Sequence, residues 1–283
     1  MIIDFHTHTF PDAVAARVAD QLARSSHTRC FTLPTVSGLS ESARAAGITR
    51  CLNLPVLTRP DQVQKINRRL IDGMASMEAQ GVLTFGGLHP GFEDPASELR
   101  FLRTHGIRGI KIHPAFQGQD LDSPAMLRLI AAAAEEDMII ITHGGEDIGF
   151  PGHDYASVPM ILRVIEEIRP PRFVIAHMGG WNGWDRVEQE LAGAPVWFDT
   201  AFSLGPITAY PGHETLLPRS RQLQDDAFVR LCRRHGTDHI LFATDSPWAD
   251  QAEYVRMINV MPFTEAEKAD IFYHNAASLL GLE

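Results

Sequence analysis

The sequence predicts an α/β fold, and three observations carry this prediction. Short apolar runs without clean polar alternation recur along all 283 residues, as is typical of strands buried in a parallel sheet. Amphipathic stretches of helical length separate the runs. There are eight such runs, and eight parallel strands with their helices commonly form one barrel of about 250 residues. We therefore predict a single (β/α)8 barrel domain over 1–283, with an open doubly wound sheet as the structural alternative.

The elements follow in order along the chain. An insertion with two helical patterns (11–47) follows the first strand, a Pro- and Gly-rich loop (203–222) follows the seventh, and two helices close the chain. The helix that begins at Pro124 has a start signal, with Asp122 or Ser123 as N-cap. The predicted strands are 2–8, 48–55, 82–88, 107–113, 138–143, 173–177, 196–200 and 239–245. The predicted helices between them are 61–79, 96–105, 124–136, 158–168, 184–192 and 225–235.

Composition narrows the class of protein. With 25 basic and 35 acidic residues the net charge is −10, which argues against nucleic acid and favours a small-molecule substrate. No apolar run approaches the roughly 18 residues of a membrane span, and the N-terminus does not resemble a secretory signal. The three scattered cysteines suit buried thiols in a reducing compartment. We expect a cytoplasmic protein that does not bind membranes.

Polar side chains stand at the end of almost every predicted strand. His6 and His8 are two residues apart, so they point to the same face of the first strand. In a parallel barrel all carboxyl-terminal strand ends meet at one face, where barrel enzymes hold their active sites. Imidazoles with a carboxylate suit Zn²⁺, with Mn²⁺, Fe²⁺ or Co²⁺ as alternatives, and bound Zn²⁺ lowers the pKa of water towards about 7. The later strand ends carry His89, Lys111, His113, His143, His177, Asp199 and Asp245.

Six segments in barrel order resemble a known family: "DFHTH", "GIKIHPAFQG", "ITHGG", "AHMGG", "LFATDSPW" and "HNAASLLGL". Together they resemble the amidohydrolase superfamily of TIM-barrel metal-dependent hydrolases, in its amidohydrolase-2 branch, which includes aminocarboxymuconate-semialdehyde decarboxylases. The resemblance implies that His177 polarises the substrate or acts as a base, and that Asp245 both binds metal and takes a proton from the nucleophilic water. The metal ligands that it implies are His6, His8, His143 and Asp245.

The role of Lys111 stays open at this point. Binuclear relatives carry a carboxylated lysine on the fourth strand, which makes Lys111 and His177 candidate ligands of a second metal. The preferred alternative is one metal, with Lys111 as a cationic contact to a substrate carboxylate. His89, His113 and Trp248 are expected to line the mouth of the barrel as further substrate contacts.

Two activities are compatible with this ligand set. The first is hydrolysis of a small amide, lactone or ester by metal-activated water, with Asp245 and His177 handling protons. The alternative is metal-dependent decarboxylation of an aromatic or muconate-type carboxylic acid. Relatives are often dimers, so the resemblance also allows a homodimer.

Overall fold

A computed structural model describes residues 1–217 and 222–282 of the chain. Residues 218–221 of the predicted 203–222 loop, and residue 283, lie outside the described residues.

Nine strands are described, and each is parallel to its neighbours in the sheet. They correspond to the eight predicted strands, because the third is interrupted at Phe85 and counts as two. The strands are β1 (Ile3–Thr7), β2 (Arg50–Asn53), β3 (Val82–Thr84), β4 (Gly86–Gly87), β5 (Gly109–Ile112), β6 (Ile139–Thr142), β7 (Phe173–Ile175), β8 (Trp197–Asp199) and β9 (Ile240–Leu241).

Backbone hydrogen bonds join these strands into a ring. The ladders run β1–β2–β3 and β4–β5–β6–β7–β8–β9. Phe85 N donates to Asn53 O over 3.1 Å, so the third strand continues its pairing with β2 through the interruption. Phe5 N donates to Phe242 O and Asp245 N donates to His6 O, each over 2.9 Å, which joins the chain after β9 to β1. This is the predicted (β/α)8 barrel.

Helices occupy the connections, and most of the predicted ones are confirmed. The helix that begins at Asp225 has its predicted bounds, whereas the one at Trp184 is a single turn followed by a π-helical turn over Val187–Leu191. No helix in the described ranges has the length and apolar character needed to cross a membrane. The helices are α1 (Asp12–Ser26), α2 (Val36–Ala45), α3 (Val63–Glu78), α4 (Pro95–Thr104), α5 (Pro114–Gln117), α6 (Pro124–Glu135), α7 (Val158–Glu167), α8 (Trp184–Arg186), α9 (Asp225–His235), α10 (Gln251–Val260), α11 (Glu265–Ala269) and α12 (Asn275–Leu280).

Alternate residues of the strands fill two separate layers of the core. On β6, Ile139 and Ile141 belong to the inner cluster, while Ile140 belongs to the outer cluster between strands and helices. The inner cluster also contains Phe5 and Phe85, whose rings meet edge to face at 6.2 Å. Burial of each side chain of this size contributes about 1.5–3 kcal/mol to the stability of the fold. The interior below the carboxyl-terminal strand ends is therefore a packed core and not an open channel.

The insertion after β1 is fastened to the long loop after β8. Thr28 and Ala209 form an antiparallel bridge, and the Tyr210 hydroxyl donates to Asp20 over 2.7 Å. The Nδ1 atoms of His27 and His213 lie 2.9 Å apart. The insertion and the loop both start from carboxyl-terminal strand ends, so these contacts join two segments at that face of the barrel.

His235 contrasts with the histidines at the strand ends. It lies at the amino-terminal end of β8, where its ring stacks on Phe198 with centroids 3.7 Å apart. Its Nε2–H donates to Val196 O over 2.9 Å, and its Nδ1 accepts from Gly193 N over 3.1 Å. The bond accepted from Gly193 N requires the neutral ring, and burial lowers the pKa of His235 to about 4 from the ordinary 6.5, although the bond to Val196 O opposes this shift.

We therefore expect His235 to make stability pH-dependent. In the unfolded chain the ring gains a proton near pH 6.5, whereas in the folded chain it stays neutral down to about pH 4. The free energy of unfolding should fall by up to about 3 kcal/mol as pH drops through that window. His235→Gln should lower stability at pH 8 and flatten the pH dependence in urea melts between pH 7 and 5. An unchanged slope in the variant would contradict this expectation.

Candidate metal centre

Two strand ends on opposite sides of the barrel seam bring three predicted metal ligands together. His6 lies on β1 and His8 just beyond it, with ring centroids 5.1 Å apart. Asp245 follows β9, and its φ of +67° turns its side chain at the strand end. Its Oδ1 lies 3.0 Å from His8 Nε2 and 3.4 Å from His6 Nε2. The donor atoms of all three residues lie within 4.8 Å of one another.

The hydrogen bonds of the Nδ1 atoms of His6 and His8 determine whether their Nε2 atoms carry a lone pair or a proton. His8 Nδ1 lies 2.8 Å from Leu54 O, and a carbonyl oxygen only accepts, so this nitrogen carries the proton. His6 Nδ1 donates to Asp199 Oδ2 over 2.8 Å. In the neutral rings both Nε2 atoms therefore present lone pairs to a carboxylate oxygen. Electron-pair donors at this distance repel unless a positive charge lies among them, and two imidazoles with a carboxylate fit Zn²⁺ or Mn²⁺.

Asp199 holds His6 in this orientation. It is fully buried at the end of β8, and its second oxygen, Oδ1, accepts from the backbone N–H groups of His177 and Ala201 over 2.9 and 3.1 Å. A carboxylate behind a ligating histidine fixes the tautomer of the ring and raises its basicity.

Asp4 aligns the two strand ends that carry the ligands. Its carboxylate accepts from Thr244 N, Thr244 Oγ1 and Gln251 Nε2 over 3.0, 2.6 and 2.8 Å. Burial nevertheless raises its pKa to about 6. Asp4 thus fixes Thr244, the residue before Asp245, and makes no contact with the His6 ring among the described bonds.

The electrostatics of the group follow from its burial. Burial opposes the ionisation of Asp245, but the positive charge of His6 and His8 when these rings are protonated, and a hydrogen bond from His8, hold its pKa below the usual range, so the carboxylate stays ionised. Burial first, and then the charge of Lys111, keep the pKa of His6 well below 6.5. An ionised carboxylate and a neutral imidazole are the forms that bind a metal ion.

Lys111 lies deep in the barrel next to the same group. Its side chain comes from β5, and its Nζ lies 3.3 Å from His6 Nε2. Burial lowers its pKa to about 8, although the carboxylates of Asp199 and Asp245 oppose this shift. Lys111 is therefore a buried cation at neutral pH that loses its proton easily.

The structure does not place His143 among the three donors. At the end of β6, His143 Nε2 donates to Glu146 O over 3.0 Å, and its Nδ1 lies 3.0 Å from His177 Nε2. His177 in turn donates from Nδ1 to Ala201 O over 2.9 Å, and burial followed by the charge of His143 lowers its pKa to about 3. The glycines after His143 serve close packing: a Cβ on Gly145, whose φ is +80°, would lie 2.4 Å from the Trp181 backbone.

The remaining predicted contacts are distributed along the mouth. His113 is buried against His143, with stacked rings 4.5 Å apart. His89 is half-buried, and its Nδ1 accepts from Gly91 N in its own turn. Trp248 follows Asp245 and packs on the outer core. The backbone N–H of Trp248 donates to Asp245 O over 2.9 Å, whereas His89 has no described hydrogen bond to the three donor residues.

One acidic residue in the site was missed by the sequence analysis. Asp147 Oδ2 lies 3.4 Å from His113 Nε2 and 3.9 Å from His143 Nδ1. The only signal was its position four residues after His143 in the loop that follows β6. That loop has no periodicity, so its direction could not be inferred from the sequence.

Fold and site together define a barrel enzyme of the metal-dependent type, with its polar residues at the carboxyl-terminal strand ends. The family model described as amidohydrolase matches residues 3–282. The chain therefore belongs to the amidohydrolase family. No curated protein matches it.

Solved structures share the fold at low identity. The 2,6-dihydroxybenzoate decarboxylase from Rhizobium is 15% identical with a TM-score of 0.72, covering 99% of this chain and 98% of that one. A Pseudomonas putida protein assigned as a 2-pyrone-4,6-dicarboxylic acid hydrolase is 16% identical with a TM-score of 0.67, covering 100% and 98%. The 5-carboxyvanillate decarboxylase from Novosphingobium aromaticivorans, complexed with manganese, is 14% identical with a TM-score of 0.67, covering 99% and 96%.

The position of Asp199 generates a prediction about metal affinity. Whichever way the amide of Asp199→Asn is turned, its NH₂ group faces either the His6 ring N–H or the backbone N–H groups of His177 and Ala201. We expect the affinity for Zn²⁺ or Mn²⁺ to fall by about 10–100-fold, measured by competition with a chromogenic chelator. Asp61→Asn, at an exposed position, is the control and should bind as the wild type does. An unchanged dissociation constant in Asp199→Asn would contradict the role given to this carboxylate.

Proposed function

We propose that this protein is a metal-dependent hydrolase of small amides, lactones or esters. The observation that carries the proposal is the convergence of His6 Nε2, His8 Nε2 and Asp245 Oδ1 as electron-pair donors at the mouth of the barrel. Three protein ligands leave open positions on an ion, as in catalytic and not in structural metal sites. Zn²⁺ suits the donors, and Mn²⁺ is supported by the manganese in a structure of the same fold.

A divalent ion bound by these donors supplies a Lewis acid that lowers the pKa of water and polarises a carbonyl oxygen. The side chains around it supply the rest. Asp245 is ionised and can take a proton from the attacking water. His177 is neutral and keeps a lone pair on Nε2, which lies 3.0 Å from His143 Nδ1, so it can polarise the substrate or receive a proton. Asp199 and Leu54 keep the imidazoles of the ligands oriented.

The mouth suits a planar substrate that carries a carboxylate. Phe116 and Phe150 are half-buried beside His113, with ring centroids 4.9 Å apart, and offer an aromatic surface. Lys111 supplies a buried cation that can bind a carboxylate of the substrate. The compounds named for proteins of the same fold are ring carboxylates, which supports this substrate class. In this proposal one ion occupies the group, and Lys111 contacts the substrate without being carboxylated.

Decarboxylation is the second candidate, and Lys111 is the observation that favours it. Loss of CO₂ from a ring requires a proton for the ring carbon, and a lysine with a pKa of about 8 retains its proton at neutral pH. Two of the three structures compared above are named decarboxylases.

The two candidates are separated by what the reaction releases. Purified protein loaded with Zn²⁺ or Mn²⁺ should be assayed against lactones, esters and amides, with 2-pyrone-4,6-dicarboxylate as the first probe. Parallel assays with 5-carboxyvanillate and 2,6-dihydroxybenzoate should measure CO₂. Hydrolysis without CO₂ supports the proposal, and CO₂ release without hydrolysis replaces it by the second candidate. No turnover by the metal-loaded protein across a broad panel would overturn both.

His177 provides the corresponding mutational prediction. His177→Asn removes the lone pair beside the mouth but none of the three donors, so kcat/KM should fall by at least about 100-fold while the ion bound by His6, His8 and Asp245 is retained. Metal content after gel filtration and turnover should be measured on the same sample. His105→Asn, at an exposed helix end, is the matched control. Loss of this ion in His177→Asn would show that His177 is one of its ligands.

A further inference from the structure

His113, His143 and Asp147 form a second polar group beside the three donors of the metal centre, and in this group Asp147 has a free oxygen. Its Oδ1 accepts from Gly149 N over 2.7 Å, which fixes the side chain in the loop after β6. Its Oδ2 accepts no hydrogen bond from the described residues, because His113 Nε2 at 3.4 Å and His143 Nδ1 at 3.9 Å are too far or too poorly directed. The side chain is only 12% exposed, and a carboxylate oxygen with so little water around it requires a donor.

The charge of Asp147 acts on the interior of the site. Burial lowers the pKa of Lys111 to about 8, and the carboxylates of Asp199, Asp245 and Asp147 oppose this shift. Asp147 therefore acts on the same buried ammonium group as the carboxylate ligand of the metal centre and the carboxylate that orients His6. The loop after β6 thus brings a negative charge within electrostatic reach of the metal centre, although it supplies none of the three donors.

The turn that fixes Asp147 also places an aromatic ring next to it. Phe150 N donates to Asp147 O over 2.9 Å and closes a four-residue turn over 147–150. The ring of Phe150 packs edge to face with Phe116 at 4.9 Å, and Phe116 packs in the same way with His113 at 4.6 Å. These rings and the free oxygen of Asp147 follow two neighbouring strand ends, those of β5 and β6. A planar ligand that packs on the rings therefore lies beside the carboxylate.

The free oxygen selects the polar group that such a ligand can place there. A second carboxylate on the ligand would be repelled by the negative charge of Asp147, whereas a hydroxyl or amino group donates a charge-assisted hydrogen bond to it. Lys111 has the opposite charge and suits the carboxylate of the ligand. The two side chains together orient a ring, with its acid group towards Lys111 and its hydrogen-bond donor towards Asp147.

We infer that Asp147 is a specificity-determining residue, which accepts a hydrogen bond from a hydroxyl or amino group on the ring of the substrate. This role rests on the ring-carboxylate substrate of the proposed function. It concerns binding alone and is therefore the same for hydrolysis and for decarboxylation. It narrows the substrate class to ring monocarboxylates that carry a hydrogen-bond donor.

The test compares ring carboxylates that differ in one substituent. Protein loaded with Zn²⁺ should be titrated by calorimetry with benzoate, with 3- and 4-aminobenzoate, and with benzene-1,3- and benzene-1,4-dicarboxylate. We expect the better aminobenzoate to bind about 10–100-fold more tightly than benzoate, because its N–H donates to a carboxylate that is shielded from water. The dicarboxylates should bind more weakly than benzoate, because their second carboxylate meets the charge of Asp147.

Asp147→Asn reverses the hydrogen-bonding character of this position at nearly the same volume. Its amide oxygen can keep the bond from Gly149 N, which turns the NH₂ group to the place of Oδ2. The preference for aminobenzoate over benzoate should then fall below about 3-fold, and one dicarboxylate should bind more tightly than benzoate. A purely structural role would weaken all ligands alike and leave their order unchanged. Asp154→Asn is the matched control, since Asp154 accepts from Ala156 N in the same loop, and it should keep the wild-type order.

Three results would overturn this role for Asp147. The first is an unchanged order of affinities in Asp147→Asn. The second is equal affinity of the wild type for benzoate and both aminobenzoates, which decides the question even if Asp147→Asn fails to fold. The third is loss of the bound ion in Asp147→Asn, measured by atomic absorption on the same sample, because it would place this carboxylate on the ion and not on the substrate.

The remaining outcomes separate this role from the proposed function. The expected order of affinities without turnover across the substrate panel would support the role of Asp147 and overturn the proposed activity. Turnover of ring carboxylates with no preference for a hydrogen-bond donor would do the reverse. Failure of the metal-loaded protein to bind any of these ligands would overturn both the ring-carboxylate class and the role of Asp147.

Discussion

The site depends on one electrostatic constraint, which is that electron-pair donors of His6, His8 and Asp245 face each other, with the Lys111 ammonium beside His6 Nε2. His6 and His8 use their Nδ1 protons on Asp199 and on Leu54 O, so both Nε2 atoms face the Asp245 carboxylate with lone pairs. Only a positive charge makes this arrangement favourable. The bonds behind the rings therefore prepare the site for a cation before one binds, and little reorganisation is needed on binding.

The barrel supplies the rigidity that holds such an arrangement. Apolar side chains of the inner cluster pack beneath the strand ends, and Asp4 fastens the residue before Asp245 to the first strand. Two residues of the site, His177 and Asp245, have φ values of +61° and +67°, which are unfavourable for residues other than glycine. Backbone of this kind costs of the order of 1–3 kcal/mol and persists where surrounding packing compels it.

Most of the fold could be predicted because buried strands require apolar runs and the helices that pack on them require amphipathic stretches. All eight strands were found, but their ends were placed too far out: residues 2–8 and 239–245 were predicted as strands, whereas β1 ends at Thr7 and β9 at Leu241. Regular pairing between strands ends before the polar residues of the site. The apolar pattern of the sequence does not show where this pairing ends. Asp147 was missed because it lies in an irregular loop, and the orientation of His143 depends on a contact with Glu146 O that no local pattern encodes.

Fold class, family and the chemical types of the groups at the mouth can be inferred without coordinates, because strand periodicity and motif order are properties of the amino-acid sequence. Which nitrogen of each imidazole faces inward, and which donor atoms lie close together, follow only from the three-dimensional fold. Those features depend on carbonyl and carboxylate partners that are brought in from distant strands, such as Leu54 for His8 and Asp199 for His6. The separation of the donors into two groups is consequently a result of strand register and loop direction and not of residue type.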